Sequence, residues 1–265
     1  MSGDELFVLI VSAVIGSLGW KPWLGGLFLW SVQRKGSAFL QSILFPFVSA
    51  LAVLFVLRTW SAHDVRDNGV YVFFYFVLWF GWMGAMNWLI AFACLSCRDD
   101  VLEGGNTAAG LAVGGALLGL TLAFAGGNIG DGPGWWVVVF SAGLGSASLV
   151  GLWVAGCVIS RVADTITIDR DTAAGWRALG FFVAGGLVLG RAVAGDWHSA
   201  LQTVADFIGK SWLLTPLWGV CVVMDSVWRP TPLRPSPDCV VCGLLPCVFY
   251  IAAGVGIVVL QGPWK

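Results

Sequence analysis

The stretch TAAGLAVGGALLGLTLAFAGG, Thr107 to Gly127, decides the fold, because it continues for 21 residues without one ionisable side chain. A helix needs roughly 20 consecutive apolar residues to cross the hydrocarbon core of a bilayer. Working outward, comparable apolar stretches occur at 6–31, 38–58, 69–96, 135–160, 173–194, 199–224 and 239–261. With 107–127 they make eight spans, within a range of seven to nine. The predicted fold is therefore all-α, a polytopic transmembrane helical bundle. Composition agrees: the chain is 58% hydrophobic and 11% charged, against roughly 25% charged residues in soluble domains. Its 36 glycines and 16 tryptophans suit close helix approach in lipid and the membrane–water boundary respectively. A net charge of -1, with no basic run, argues against nucleic acid as a partner.

The first stretch is interrupted by Lys21-Pro22. It reads as one bent helix, or as a short helix followed by a re-entrant or interfacial piece, with Trp20, Trp23 and Trp30 as interfacial anchors. Met1-Ser2-Gly3-Asp4-Glu5 is acidic and lacks the positive n-region of a secretory signal, so this stretch is expected to be retained as an anchor. Lys and Arg collect in alternate connections: Arg34, Lys35, Arg98, Arg161, Arg170, Arg229 and Arg234 on one side. Arg58 or Arg66, Arg191 and Lys265 fall on the other. The positive-inside rule then places the N-terminus outside and, with eight spans, the C-terminus outside too.

Self-comparison at an offset of 65 residues reveals a duplication. Asn106-Thr107-Ala108-Ala109-Gly110 lies over Asp171-Thr172-Ala173-Ala174-Gly175, and Gly130-Asp131 over Gly195-Asp196. Each unit opens with a short polar residue and Thr suited to cap a helix, crosses through a glycine-rich span, turns at Gly-Asp and returns. Two spans per unit preserve orientation, so the repeats are parallel. The chain divides into N-terminal transmembrane segments over 1–99, a duplicated two-helix core over 100–225 (repeats near 100–164 and 165–229), and a Pro-rich loop with a last helix over 226–265. Gly110, Gly114, Gly115, Gly119, Gly186 and Gly190 stand four apart in pairs and define helix-packing faces. These serve packing within one subunit or an interface between subunits.

The paired Asn/Asp-Thr-Ala-Ala-Gly starts, together with Arg191-Ala192-Val193-Ala194-Gly195-Asp196-Trp197, resemble the YjfL-type family over roughly residues 100–225. The resemblance implies a small bacterial inner-membrane protein built of duplicated two-helix units. It brings no reaction, cofactor or catalytic residue.

Ionisable groups at membrane depth are expensive and mark sites or paired structure. Arg177 lies about one turn into the sixth span and Arg191 near its far end; Asp206 and Lys210, four apart, share a face of the seventh. Arg177, Arg191, Asp206 and Lys210 form a possible intramembrane polar path, or else snorkelling arginines beside a structural ion pair. Asn87 offers an interhelical hydrogen bond. Asp131, Asp196 and His198 form a possible outer-face cation or pH site, or ordinary turn chemistry after glycine.

Cys94-x-x-Cys97 and Cys239-x-x-Cys242 fall on the predicted inner face, where a reducing compartment keeps thiols free. Four such thiols are a conceivable zinc or iron–sulfur site, but their apolar surroundings are unlike those of zinc ribbons, and no cofactor is expected. No Gly-x-Ser-x-Gly, His-Glu-x-x-His or phosphate-binding Gly-x-x-x-x-Gly-Lys-Ser/Thr occurs, and His63 and His198 are the only histidines. Two functions follow as expectations. The first is a non-catalytic subunit that assembles with itself or a membrane-protein partner through glycine-rich faces. The alternative is an ion or small-solute channel or transporter using the Arg177–Asp206–Lys210 path.

Overall fold

A computed structural model describes residues 1–28, 36–231 and 238–262. Trp30, Arg34, Lys35, Arg234 and Lys265, and most of the Pro-rich stretch, lie outside the described residues. The fold is helical: α1 (Gly3–Phe28), α2 (Ser37–Thr59), α3 (His63–Arg66), α4 (Gly69–Phe92), α5 (Thr107–Gly126), α6 (Trp135–Ser160), α7 (Val162–Thr167), α8 (Thr172–Val193), α9 (Ala200–Ser211), α10 (Leu214–Val227) and α11 (Leu245–Leu260). π-Helical turns at Cys97–Glu103 and Val240–Leu244 precede α5 and α11. Seven helices are long and apolar enough to cross a membrane, and the bent pair α9–α10 makes an eighth.

The duplication is realised as a parallel pair. In α5, 89% of the most apolar window is buried within the protein, and in α8, 83%, against 22% for α1. These two helices are therefore the centre, and α1, α2 and α11 face outward. Both are capped as their sequences predict. Asn106 Oδ1 accepts from the Ala108 and Ala109 amides at 3.0 and 3.2 Å. The Asp171 carboxylate accepts from Ala173 and Ala174 at 3.1 Å each. In lipid no hydrophobic effect drives helices together, so close packing must do it. A Cβ on Gly119 would strike the Phe182 carbonyl, one on Gly186 the Gly119 backbone, and one on Gly126 the Gly190 backbone. Contacts at successive turns thus preserve an offset near the sequence repeat, as parallel helices in matched register must.

The six glycines of the packing faces are consumed inside the chain. Gly115, Gly119, Gly186 and Gly190 meet the opposite helix of the pair, while Gly110 and Gly114 abut Gln41 and Phe45 of α2. Their van der Waals surface already belongs to this subunit.

One further expectation is corrected. Trp20 and Trp23 are buried rather than interfacial. An indole N–H inside a membrane needs an acceptor, and Trp20 Nε1 finds the Phe80 carbonyl at 3.1 Å while Trp23 Nε1 finds that of Ser42 at 2.5 Å. The α1–α4 contact that buries Trp20 is close because Gly19 meets the Gly84 backbone, and Asn87 Nδ2 reaches the Gly19 carbonyl at 3.5 Å. The span expected over 199–224 is present as the bent pair α9–α10, whose halves meet at 48°. Pro216, in the first turn of α10, supplies no amide to the Trp212 carbonyl and its ring crowds that oxygen. The first stretch, by contrast, is one helix past Lys21-Pro22.

Candidate functional site

The repeat's two Gly-Asp turns come together at the face that carries Met1 and the end of α11. Gly130 (φ 109°) and Gly195 (φ 142°) take backbone conformations that favour glycine, and a Cβ on Gly130 would collide with the Gly195 backbone. The turns are tied together by the Gly195 amide donating to the Ile129 carbonyl at 2.9 Å and Trp197 donating to Asp131 at 2.8 Å. The Asp131 amide donates to Asp196 Oδ1 at 3.0 Å. Trp197 is held edge-on between Trp136 and Phe140.

Beside these turns opens a cavity of about 290 Å³. Asp64, Asp131, Asp196 and Asp206 line it together with Arg191, Lys210 and His198. Six of the seven outlying polar residues picked out from sequence, Arg191, Asp206, Lys210, Asp131, Asp196 and His198, thus share one basin. The charges are sorted by depth. All four aspartates are exposed, Lys210 is half-buried, and Arg191 is 8% exposed. Arg191 donates through Nη2 to the Gln261 and Gly262 carbonyls at 3.1 and 3.4 Å, where the carbonyl-rich C-terminus of α11 favours a cation. Two more polar side chains line the cavity: Tyr75, 8% exposed, and Ser141, 3% exposed. Neither hydroxyl is among the buried side-chain atoms left without a partner.

Helix α9 forms one wall and divides by periodicity into three faces. Gln202, Thr203, Asp206 and Lys210 line the cavity; Phe207 is buried against the bundle; Leu201, Ile208 and Trp212 are exposed and apolar. The pattern suits a helix lying between a polar basin and lipid.

Arg177 belongs elsewhere. It is 14 residues before Arg191 on α8, about 21 Å along the axis at 1.5 Å per residue. It is 1% exposed, and its Nε donates to Asp225 Oδ1 at 2.5 Å, its Nη1 to the Cys242 carbonyl at 2.6 Å. The guanidinium also lies over Trp228, 5.6 Å from the ring centroid. This ion pair clamps the end of α10 and the π-turn before α11 onto α8. Asp225 was not singled out from sequence, although it is the only acidic residue between Asp206 and Asp238. A buried arginine needs a counter-charge, and that scarcity is the signal that would have found it. Tyr75, Ser141 and Asp64 carried no such signal, since only the fold aims them at the cavity.

All seven cysteines are free thiols. Among the described residues no three His, Cys, Asp or Glu side chains gather where they could hold a metal ion, so neither Cys94, Cys97, Cys239 and Cys242 nor Asp131, Asp196 and His198 form such a group. Cys94 and Cys239 are exposed and Cys97 is half-buried. Burial pushes the Cys97 thiol well above its ordinary range, and burial followed by the nearby Asp171 and Asp238 raises that of Cys239.

Comparison with known proteins adds a family. No curated protein and no solved structure matches the chain. One family model, described as Domain of Unknown Function (DUF350), matches residues 60–193. The match begins about forty residues before the region expected from the repeat and ends with α8. It takes in Asp64, Tyr75, both turns' approaches and Arg191, and leaves out α9 and Asp225. Covering half of the sequence, the match means that the chain belongs to the DUF350 family, a family whose function is unknown.

Proposed function

We propose that this chain is a membrane protein that takes up a small charged solute at the basin between the Gly-Asp turns and α9, as the receiving site of a channel or transporter. One observation carries the reading: charged side chains from five separate segments, α3, the two turns, the end of α8 and α9, line one cavity of about 290 Å³. A cavity of this size is near the lower end of those that hold small molecules. The two-residue break between α9 and α10 gives the wall of the basin a hinge, and hinges at element ends absorb the dihedral changes of opening and closing. Arg177, clamped to Asp225, belongs to the supporting structure in this reading.

The basin face is taken as the outer face of a bacterial inner membrane. That orientation rests on the Lys/Arg bias, and the setting on the YjfL-type resemblance. The test is reconstitution into liposomes with counterflow of charged solutes, alongside binding to the purified protein. Flux that Asp206→Asn abolishes supports the proposal. A protein that binds no charged solute at all sinks it.

A second reading, assembly with itself or a membrane-protein partner, has its own observation. Ala147 and Gly151 on α6 are exposed, and a Cβ on Gly151 would meet nothing within 4 Å. Small residues four apart on an outward helix face suit helix association in lipid. A mass measurement on the detergent-solubilised protein, with Gly151→Leu as the disruptive variant, decides it: a monomer in both removes this reading.

A further inference from the structure

Resting on the charged-solute reading above, we infer that the ligand of the basin is a zwitterion, with an acidic group and an ammonium group a few bonds apart. The acidic group binds toward Arg191 and Lys210 and the ammonium toward the aspartate rim.

Charge in the basin is sorted by exposure. Arg191 is 8% exposed and lines the cavity, and half-buried Lys210 lines it as well, while Asp64, Asp131, Asp196 and Asp206 are all exposed. A bare anion in this basin finds four carboxylates lining the same cavity as its cationic partners. A bare cation is held at the rim but finds Arg191 repelling it at depth. A molecule with both charges satisfies both layers at once, and each interaction strengthens as water leaves the cavity. Asp196 is partly committed, since its Oδ1 accepts the Asp131 amide at 3.0 Å. Among the described residues the Asp206 and Asp64 carboxylates make no hydrogen bond or ion pair, and they are the ammonium partners assigned here. The hydroxyls of Tyr75 and Ser141, each on a residue more than nine-tenths buried and lining the cavity, supply neutral donors or acceptors for the ligand's polar atoms.

The same chemistry has two sources, a free zwitterion in solution or the headgroup of a zwitterionic lipid reaching past the apolar face of α9. Intrinsic tryptophan fluorescence of the full chain in an uncharged maltoside detergent reads binding, Trp197 being at the cavity. The probes are phosphoethanolamine and serine, with ethanolamine and inorganic phosphate as the separated charges. The expected result is at least tenfold tighter binding of one zwitterion than of either separated charge, weakened at least tenfold by Asp206→Asn and by Lys210→Gln. Asp206 is exposed, so its variant is expected to fold. In nanodiscs of phosphatidylglycerol the signal persists; its loss in phosphatidylethanolamine discs identifies the lipid headgroup as the occupant, and its persistence there identifies a free solute. If ethanolamine or phosphate alone binds as tightly as the zwitterions, the zwitterion inference is overturned while the charged-solute site stands. If none of the four probes binds, both fall.

Discussion

Replacing Asp225 by Asn leaves the Arg177 guanidinium in place and removes its counter-charge. Arg177 is 1% exposed and the Asp225 side chain 11%, and their contact of 2.5 Å is supplemented by the Cys242 carbonyl at 2.6 Å. Breaking a buried ion pair from one side costs about 3–5 kcal/mol, because the remaining charge is stranded. That corresponds to roughly two to four powers of ten in the unfolding equilibrium at about 1.4 kcal/mol per decade. A neutral interhelical hydrogen bond in a membrane averages only about 0.6 kcal/mol, so the two accounts are separable. The assay is unfolding in mixed micelles by SDS titration, followed by tryptophan fluorescence, for Asp225→Asn, Arg177→Met and the double variant. The double variant should recover most of the loss, since it leaves no buried charge without its counter-charge. About 1 kcal/mol should remain for the Cys242 carbonyl left without its donor. Single variants that each lose less than about 1 kcal/mol, and add in the double, would refute the clamp. The basin is about 21 Å away along α8, and solute binding there should not change.

Three further outcomes follow from the packing and the thiols. Gly119→Val and Gly186→Val should abolish the folded state or destabilise it by at least the roughly 1–3 kcal/mol of overpacking, because each new Cβ meets backbone. Gly256→Ala, with open space around it, should stay within about 0.5 kcal/mol on the same SDS titration. Asn106→Ala and Asp171→Ala each remove a side chain that caps two amides and should cost about 1–2 kcal/mol; an unchanged midpoint for both would mean the caps are redundant. A membrane-impermeant maleimide should label exposed Cys94 and Cys239 from the side opposite the basin only. Cys97 should lag behind Cys94, and its rate should keep rising above pH 9, because burial holds its thiol protonated; equal rates at pH 7 would contradict that burial.

What was legible in the sequence is what depends on local or periodic properties. A run such as 107–127 has no charge to satisfy, so it must span, and a helix is the only single-segment structure that leaves no backbone group unpaired in lipid. Asn106 and Asp171 were readable as caps because capping reaches only two or three residues along the chain. The parallel duplication was readable because equal spacing in sequence becomes equal rise along two helices. Where Trp20 and Trp23 point was not readable: an indole satisfies its N–H either at the interface or at a carbonyl of another helix, and only the α1–α4 approach through Gly19 and Gly84 selects the second. The break at Pro216 was half-legible, since proline's effect on the preceding turn is local but the 48° bend depends on what the two halves pack against.

The candidate site divides the same way. Sequence alone determined that the chain is an all-helical membrane bundle with a doubled core, and named Arg191, Asp206, Lys210, Asp131, Asp196 and His198 as its unusual polar groups. Only the tertiary structure decided that these six share one basin, that Arg177 does not, and that Asp225 is its partner. The physical reason is that burial of charge is a pairwise matter between distant segments. A sequence displays each ionisable residue and its cost, whereas the packing of α8 against α9, α10 and α11 determines which partner or cavity compensates it.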